Sequence, residues 1–327
     1  MHRVKAEVGV HSPAMAYHRQ ALNHARMLNP APDPFKTNRS PGSLAQLGGF
    51  SLLSCKGPDA AAFLQAQTIN DVRTLSPMHW HWNGWLNPKG RLIALFALLQ
   101  LEAAEFIAIL PDFPAVELQP LLQRYVFRSK LTLQQVISHV VATDRAFPER
   151  ATTAQDVATT GPTGIISLDF SGDAAQRHLL LVPCDSPVLA PPDSGRDAQW
   201  LAADIAHGLP RLPVDQREMW TPQMLSLDRL HAFSLAKGCY PGQEIVARTH
   251  YLGQAKRGLR RVLGIGLRHG GDIRNEHGAV VGTVFCVAAD GLSALAVTSL
   301  EALTGHAVAD GQPVLIVEPV GGLQRPV

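Results

Sequence analysis

The chain has 327 residues, and its 29 Lys and Arg residues against 27 Asp and Glu residues give a formal net charge of only +2. This near balance argues against a protein that coats a polyanion along its length. Charged residues are 17% and hydrophobic residues 46% of the chain, which excludes an intrinsically disordered protein. The length predicts two or three hydrophobic cores rather than one.

Apolar runs and cysteine spacing together indicate a compartment. The longest purely apolar runs fall far short of the ~20 residues that a membrane-spanning helix needs. The first residues lack the apolar stretch typical of a secretory signal. The four cysteines lie far apart and form no CxxC pair. We therefore expect a protein of the reducing cytoplasm that does not enter a membrane.

The N-terminal part of the chain is predicted to hold an arm, a strand and a helix. Residues 1–40 contain four prolines and no sustained helix or strand period, and we interpret them as an N-terminal arm. A strand is predicted over 50–53, and a helix follows it with Asp59 as the candidate N-cap. The residues of this helix that are predicted to face the core are Ala60, Phe63 and Leu64.

A β-hairpin is predicted next, with strands over 92–99 and 106–110. The segment before it, residues 79–82, reads His-Trp-His-Trp, so on a strand its histidines share one face and its tryptophans the other. We expect the tryptophans to lie in the core. A metal-binding histidine pair is the alternative, and it is disfavoured because no cluster of further His or Cys ligands is evident.

The remaining elements mix strands and helices without the regular alternation of a doubly wound sheet, which predicts an α+β protein. After Arg261 the chain reads as short strands separated by Gly, Asn and Asp, typical of a small antiparallel barrel or sandwich. A short helix is predicted over 120–125, loops over 149–163 and 184–197, and strands over 131–133, 165–170, 178–182, 262–267, 279–288, 292–298 and 313–318.

The segment most informative about chemistry is Lys-Gly-Cys-Tyr-Pro-Gly-Gln-Glu, residues 237–244. A helix is predicted before it, capped by Thr221, and a second helix over 243–252 after it. Cys239 then lies on a turn just before a helix N-terminus, where main-chain N–H groups and the nearby Lys237 favour a thiolate. A buried, inert cysteine is the alternative. The flanking glycines, proline and lysine favour a functional thiol in a loop.

This eight-residue segment resembles the signature of the YgfZ family, whose members are relatives of the T-protein of the glycine cleavage system, an aminomethyltransferase. Weaker supporting matches are Phe-Leu-Gln-Ala-Gln-Thr-Ile-Asn-Asp-Val at 63–72, Asn-Pro-Lys-Gly-Arg at 87–91 and Gly-Gln-Ala-Lys-Arg at 253–257. Together the matches cover most of residues 45–290.

The resemblance implies a three-lobed, cloverleaf-like α+β fold with a central channel for tetrahydrofolate and a C-terminal antiparallel β-barrel. We accordingly divide the chain into the arm, a two-lobed folate-binding region over 41–258 and a barrel domain over 259–327. The resemblance to the family also implies a role in assembling or repairing iron–sulfur clusters in client enzymes such as tRNA methylthiotransferases. Cys239 would be the essential thiol, with Lys237 beside it.

Folate chemistry suggests roles for the residues that complete the motif. The pterin edge can pair with a carboxylate, for which Glu244 is the candidate, and its ring suits an aromatic neighbour. A helix-dipole partner is the alternative role for Glu244. The matching positions Gly238, Tyr240, Gly242 and Gln243 are assigned to the same site. The cations expected to contact the glutamate tail, or else to form a solvated face, are Arg248, Lys256 and Arg257.

Two alternatives to the accessory-factor function stay open. The first is a folate-dependent aminomethyltransferase. Against it, this sequence has Ala94 and Leu95 where the transferase carries an aspartate after its glycine-rich turn, so the acid or base that methylene transfer needs is missing. A direct tRNA-binding module is the second alternative. Residues 237–261 hold six Lys and Arg and one Glu, a local charge of +5 that suits one focused anionic ligand.

Overall fold

The computed structural model describes residues 44–144, 156–160, 164–187, 191–251, 253, 255–301 and 305–326. The predicted N-terminal arm lies outside these residues. The α-helices are α1 (Ala60–Gln67), α2 (Ala115–Gln123), α3 (Ser194–His207) and α4 (Gln243–Tyr251). The strands are β1 (Ala45–Gln46), β2 (Phe50–Lys56), β3 (Trp80–Leu86), β4 (Leu92–Glu102), β5 (Glu105–Pro111), β6 (Thr132–Gln135), β7 (Ser138–Thr143), β8 (Thr159–Thr160), β9 (Ile166–Asp169), β10 (His178–Pro183), β11 (Arg257–Gly264), β12 (Asp272–Arg274), β13 (Val280–Val287), β14 (Ser293–Ser299), β15 (Gly305–Ala309) and β16 (Gln312–Val317).

The first open sheet has the order β3-β4-β5-β2-β6 and contains the predicted hairpin, β4 and β5. Helix α1 packs against this sheet through its three predicted core residues, all of which are buried. Asp59 lies at the predicted N-cap position, but its side chain makes no capping hydrogen bond to the helix. Its Oδ2 accepts instead from the main-chain N–H of Lys130 at 2.6 Å, which ties the start of α1 to a neighbouring loop.

The second open sheet has the order β1-β7-β10-β9-β8, and α3 follows it. Helix α3 begins inside the segment 184–197 that the sequence analysis assigns to a loop, so that part of the prediction is wrong. The helix buries Arg196, Asp204 and His207 beside its apolar residues, which breaks the apolar period. The loop prediction failed because the buried face of this helix is stabilised partly by the ion pairs of Asp204, which leave no apolar period in the sequence.

Six strands close the third unit into a barrel in the order β11-β14-β13-β12-β15-β16. This closure decides between the barrel and the sandwich left open by the sequence, and the barrel has its own apolar interior. Two five-stranded sheets and a closed barrel form three lobes, so the predicted three-lobed α+β fold with a C-terminal antiparallel barrel is confirmed. The domain boundaries at 40/41 and 258/259 stay a prediction.

One hydrophobic core joins the three lobes, with Trp82 from the first sheet, Leu179 from the second and Phe285 from the barrel. After the barrel the chain returns across this core. The indole Nε1 of Trp82 donates to the carbonyl oxygen of Leu323 at 2.7 Å, and the guanidinium of Arg325 lies 4.7 Å from the Trp80 ring. The C-terminal segment therefore fastens the barrel to both sheets.

A buried ionic network reinforces the same junction. The guanidinium of Arg177 donates to Asp204 on α3 at 2.6 Å, and that of Arg211 donates to the second oxygen of Asp204 at 3.0 Å. Arg211 also binds Asp112, which follows β5, at 2.7 Å. Because paired charges compensate each other after leaving water, the network fixes α3 against the first sheet.

None of the helices in the described part of the chain combines the length and apolar character of a bilayer span.

Candidate functional site

The segment before the cysteine motif forms turns and a short 3-10 helix, Leu227–Leu230, instead of the predicted α-helix. Ser226 and His231, on either side of it, adopt left-handed backbone conformations with φ of 48° and 53°. A left-handed residue stops propagation of an α-helix. The carbonyl of His231 is thereby free to accept from the side-chain amide of Asn70 at 2.7 Å. The prediction of a helix here is wrong, and the turns serve to bring two distant segments together.

Two glycine turns interlock beneath the motif. Gly242 has a φ of 78°, and a Cβ added there would lie 2.6 Å from the carbonyl oxygen of Asn87 and 2.7 Å from the Cα of Gly90. Gly90 has a φ of 69°, and a Cβ there would lie 2.8 Å from the Cβ of Ile245. Only glycine fits such backbone-to-backbone contacts. The two segments that matched the family separately are thus in direct contact: residues 87–91 and residues 237–244.

Lys237 anchors the motif from inside the protein. The residue is only 2% exposed, and its Nζ donates to the main-chain carbonyl oxygens of Thr68 and Asn70, the latter at 2.9 Å. The same Nζ lies 5.1 Å from the centre of the Tyr240 ring. Burial lowers the pKa of Lys237 to about 7. The lysine that the sequence placed beside the thiol thus also fastens the motif to the end of α1.

A buried polar cluster surrounds this anchor. The side chain of Asn83 accepts from the main-chain N–H of Asn70 at 2.9 Å and lies 3.2 Å from the Nε2 of His81. Burial lowers the pKa of His81 to about 3, so the imidazole is neutral at pH 7. The Nδ1 of His81 and the hydroxyl of Tyr240 are buried without a hydrogen-bond partner among the described residues. Such unpartnered polar atoms are costly unless a ligand satisfies them.

This cluster was not predicted from the sequence. On the sequence alone His81 is a candidate metal ligand or a strand residue, and Asn83 has no assigned role. The signal was present, because strand β3 alternates buried tryptophans with the polar residues His81 and Asn83, although every residue in the strand is buried. Polar side chains on a fully buried strand need specific partners. The predicted core position of Trp80 and Trp82 is confirmed.

The other half of the motif faces solvent. Gly238 and Cys239 are exposed, and a Cβ added at Gly238 would meet no protein atom within 4 Å. Cys239 lies on the turn before α4, as the sequence predicts. Glu244 is exposed in the first turn of α4, and Gln243 is half-buried, with its side-chain amide 3.4 Å from the carbonyl of Lys237. The three predicted tail-binding cations are also exposed: Arg248, Lys256 and Arg257.

The four cysteines are free thiols and form two groups that differ in burial. Cys55 and Cys286 are buried, and burial raises the pKa of each thiol to about 12. Cys184 and Cys239 are exposed. The buried, inert alternative is therefore wrong for Cys239, and it describes Cys55 and Cys286 instead. Among the described residues, no group of three or more His, Cys, Asp and Glu side chains is arranged to hold a metal ion.

Ala94 and Leu95 lie on β4, opposite Trp85 and Gly84 of β3. Both are buried in apolar clusters, Ala94 beneath α1 and Leu95 in the core shared by the lobes. These two positions thus contribute packing and no carboxylate.

The overall fold is that of the glycine cleavage T-protein. The crystal structure of the glycine cleavage system aminomethyltransferase T from Bartonella henselae superposes with a TM-score of 0.69, covers 88% of each chain and shares 15% sequence identity. At that identity the likeness establishes the architecture alone. A scan against models of known protein families found no match.

Sequence relatives narrow the class. The chain is 29% identical to the tRNA-modifying protein YgfZ of Vibrio vulnificus strain CMCP6 over 233 residues, 68% of this chain and 70% of the relative. It is 27% identical to the tRNA-modifying protein YgfZ of Cronobacter sakazakii over 256 residues, 73% of this chain and 76% of the relative. The resemblance to the YgfZ family, indicated by residues 237–244, is confirmed.

Proposed function

We propose that this chain is a tetrahydrofolate-binding accessory factor for the maturation or repair of iron–sulfur enzymes, and that it supports tRNA modification through those enzymes. One observation carries the proposal. The exposed thiol of Cys239 adjoins a buried cluster in which Tyr240 and His81 each hold an unpartnered polar atom. The similarity to relatives named tRNA-modifying protein YgfZ supports the link to tRNA modification.

The residues beside the thiol suit a pterin. A pterin edge offers hydrogen-bond donors and acceptors, which the hydroxyl of Tyr240 and the Nδ1 of His81 lack among the described residues. The carboxylate of Glu244 and the amide of Gln243 supply further polar groups at the same end of α4. When bound, tetrahydrofolate supplies a carrier of one-carbon units.

The glutamate tail of a folate is anionic, and the cations near the motif suit it. Arg248 lies in the last turn of α4, and Lys256 and Arg257 lie at the start of β11. All three side chains are exposed and make no ion pair among the described residues. Free cations at the mouth of a site attract an anion before it is desolvated.

The protein's own contribution to thiol chemistry is placement. The thiol of Cys239 is exposed on the segment that leads into the first turn of α4, where a client can reach it. The buried amine of Lys237, two residues before Cys239, holds this segment to the main chain that follows α1. In the proposed reaction the thiolate of Cys239 coordinates transiently to an iron of a client's cluster, which is the substrate, in place of one existing ligand and with no change of oxidation state.

An aminomethyltransferase is the main alternative, since the fold is shared with that enzyme. Buried Ala94 and Leu95 in β4 supply no acid or base, and general acid–base catalysis of methylene transfer needs one. Transfer of a methylene group from an aminomethyl carrier to tetrahydrofolate by the purified protein would establish the alternative and overturn the accessory role.

The test uses a bacterial strain that lacks its own protein of this type. Wild-type protein restores iron–sulfur enzyme activity and the methylthio content of tRNA, whereas Cys239→Ala restores neither. The matched control is Cys184→Ala, which removes the other exposed thiol and restores both. Restoration by Cys239→Ala at equal protein level would contradict the proposed role of the thiol.

A further inference from the structure

A second surface of the molecule combines an exposed aromatic ring with free cations. It is the aromatic loop, residues 124–130, which reads Arg-Tyr-Val-Phe-Arg-Ser-Lys and follows α2. Phe127 is 87% exposed, the highest value for a large apolar side chain in the part of the chain that the structure describes. A single exposed apolar side chain is ordinary at a protein surface, and Phe127 is distinguished instead by its charged neighbours and its backbone conformation.

The loop is held in a fixed shape. Val126 is buried in the core beneath the first sheet, and the ring of Tyr125 meets the buried Trp85 edge to face at 6.1 Å. Main-chain bonds run from Ser129 to Val126 at 2.8 Å and from Lys130 to the carboxylate of Asp59 at 2.6 Å. A pre-ordered surface loses little conformational entropy when a partner binds.

The backbone of Phe127 itself is unusual. Its φ is 44°, in the left-handed region that a bulky side chain rarely adopts. The hydrogen bonds around it maintain this conformation and direct the ring into solvent. Strain retained in an otherwise well-packed loop often accompanies function.

The loop carries three cations and no acid, a local charge of +3. Arg124, Arg128 and Lys130 are all exposed, and none makes an ion pair among the described residues. Of the nearby acids, Glu105 binds Lys56 at 2.6 Å and Glu117 binds Arg217 at 3.1 Å, and the carboxylate of Asp59, which accepts from the main-chain N–H of Lys130, offsets only part of the loop's charge. The positive charge of the loop is therefore available to a partner.

We propose that the aromatic loop binds an unpaired polynucleotide strand, with a base stacked on Phe127 and phosphates contacted by Arg124, Arg128 and Lys130. Aromatic rings beside cations are the combination that single strands use, because every base has a π-face and every link has a phosphate. A polyanion suits the loop better than an uncharged protein surface, because three cations surround the ring and lysine is depleted at protein interfaces.

This site is independent of the folate and thiol proposal. It contains no residue of the motif at 237–244, and the loop's anchors, Trp85 and Asp59, belong to β3 and the start of α1. Cys239→Ala therefore leaves strand binding unchanged. A failure of the strand proposal is thus distinguished from a failure of the proposed function.

The test is fluorescence anisotropy of a labelled 12-residue oligouridine with the full-length protein at 50 and 200 mM salt. Wild type binds, and Phe127→Leu, which keeps an apolar side chain but removes the ring, weakens binding by roughly tenfold. Phe127→Trp retains it. The matched control is Ile137→Ala, at a residue that is 83% exposed between β6 and β7, and it binds as wild type does.

The charge contribution is read from the salt dependence. Affinity falls as salt rises, and the double variant Arg128→Gln, Lys130→Gln makes this dependence shallower. The magnitude of the slope of log affinity against log salt decreases by about 1.4, which corresponds to the loss of two single-strand phosphate contacts. The proposal is overturned if wild type shows no binding at 50 mM salt, or if Phe127→Leu binds oligouridine as Ile137→Ala does. It is also overturned if polyglutamate binds more tightly than oligouridine and loses affinity with Phe127→Leu, since the surface would then take an acidic protein.

Discussion

Two sets of residues within the motif at 237–244 have opposite environments. The inner set, Lys237, Tyr240 and Gly242, faces the protein: two of its side chains are buried, and its glycine lies against another backbone. The outer set, Gly238, Cys239 and Glu244, faces solvent. A sequence signature does not separate them, because residues that hold a loop and residues that act on a ligand occur at adjacent positions. The structure separates them by contact, and each set has its own test.

The largest expected effect is at the inner glycine. Gly242→Ala places a Cβ 2.6 Å from the carbonyl oxygen of Asn87 on a backbone with positive φ. We expect a loss of about 3 kcal/mol in the free energy of unfolding, measured by urea denaturation, from strain and overpacking. The matched control is Gly238→Ala, which meets open space and changes stability by less than about 0.5 kcal/mol. Equal losses for the two variants would remove the distinction between the sets.

The next effect concerns the buried amine. Because burial lowers the pKa of Lys237 to about 7, the folded protein binds fewer protons than the unfolded chain between pH 7 and the ordinary lysine value of 10.5. Stability contributed by this residue therefore rises with pH across that window and is absent below pH 7. Lys237→Met removes this dependence and leaves the carbonyls of Thr68 and Asn70 unpaired.

The measurement is the difference in unfolding free energy between wild type and Lys237→Met at pH 6 and at pH 9. We expect the difference to grow in favour of wild type by about 2.7 kcal/mol at the higher pH. The control is Lys89→Met, at an exposed residue of the glycine turn, for which the difference stays constant. A constant difference for Lys237→Met would mean that its amine keeps an ordinary pKa.

The sequence predicted the architecture well where the physics is local. The β4–β5 hairpin, the apolar face of α1 and the barrel strands follow from alternation, helical spacing and turn residues. Helix α3 was missed because Asp204 and His207 on its buried side depend on partners from elsewhere in the chain, such as Arg211. The segment over 221–231 was misread as a helix because left-handed residues at its ends leave no mark in an apolar period.

The site could be located from the sequence but not divided. The motif and the turn before α4 were predicted, and Cys239 is exposed there. The contact between Gly90 and Gly242 was not predictable, because it joins segments 152 residues apart that no periodicity relates. The contact of Lys237 was not predictable for the same reason, because its acceptors Thr68 and Asn70 lie just after the C-terminal end of α1.

The smallest chemical change, alkylation of single thiols, tests the outer set directly. Under native conditions iodoacetamide is expected to label the exposed Cys184 and Cys239 and to spare Cys55 and Cys286, whose thiols are buried with a pKa of about 12. Mass spectrometry of the digested protein reads the four sites together. Labelling of Cys55 at the rate of Cys239 would show that the core beneath the first sheet opens readily.

We propose that folate binds beside the thiol of Cys239, so that the two share one site. The most direct measurement is the alkylation rate of Cys239 with and without saturating 5-formyltetrahydrofolate, with Cys184 in the same protein as the internal control. We expect the folate to slow labelling of Cys239 several-fold and to leave the labelling rate of Cys184 unchanged. Folate that binds, yet leaves the rate at Cys239 equal to that of the free protein, would contradict the shared site.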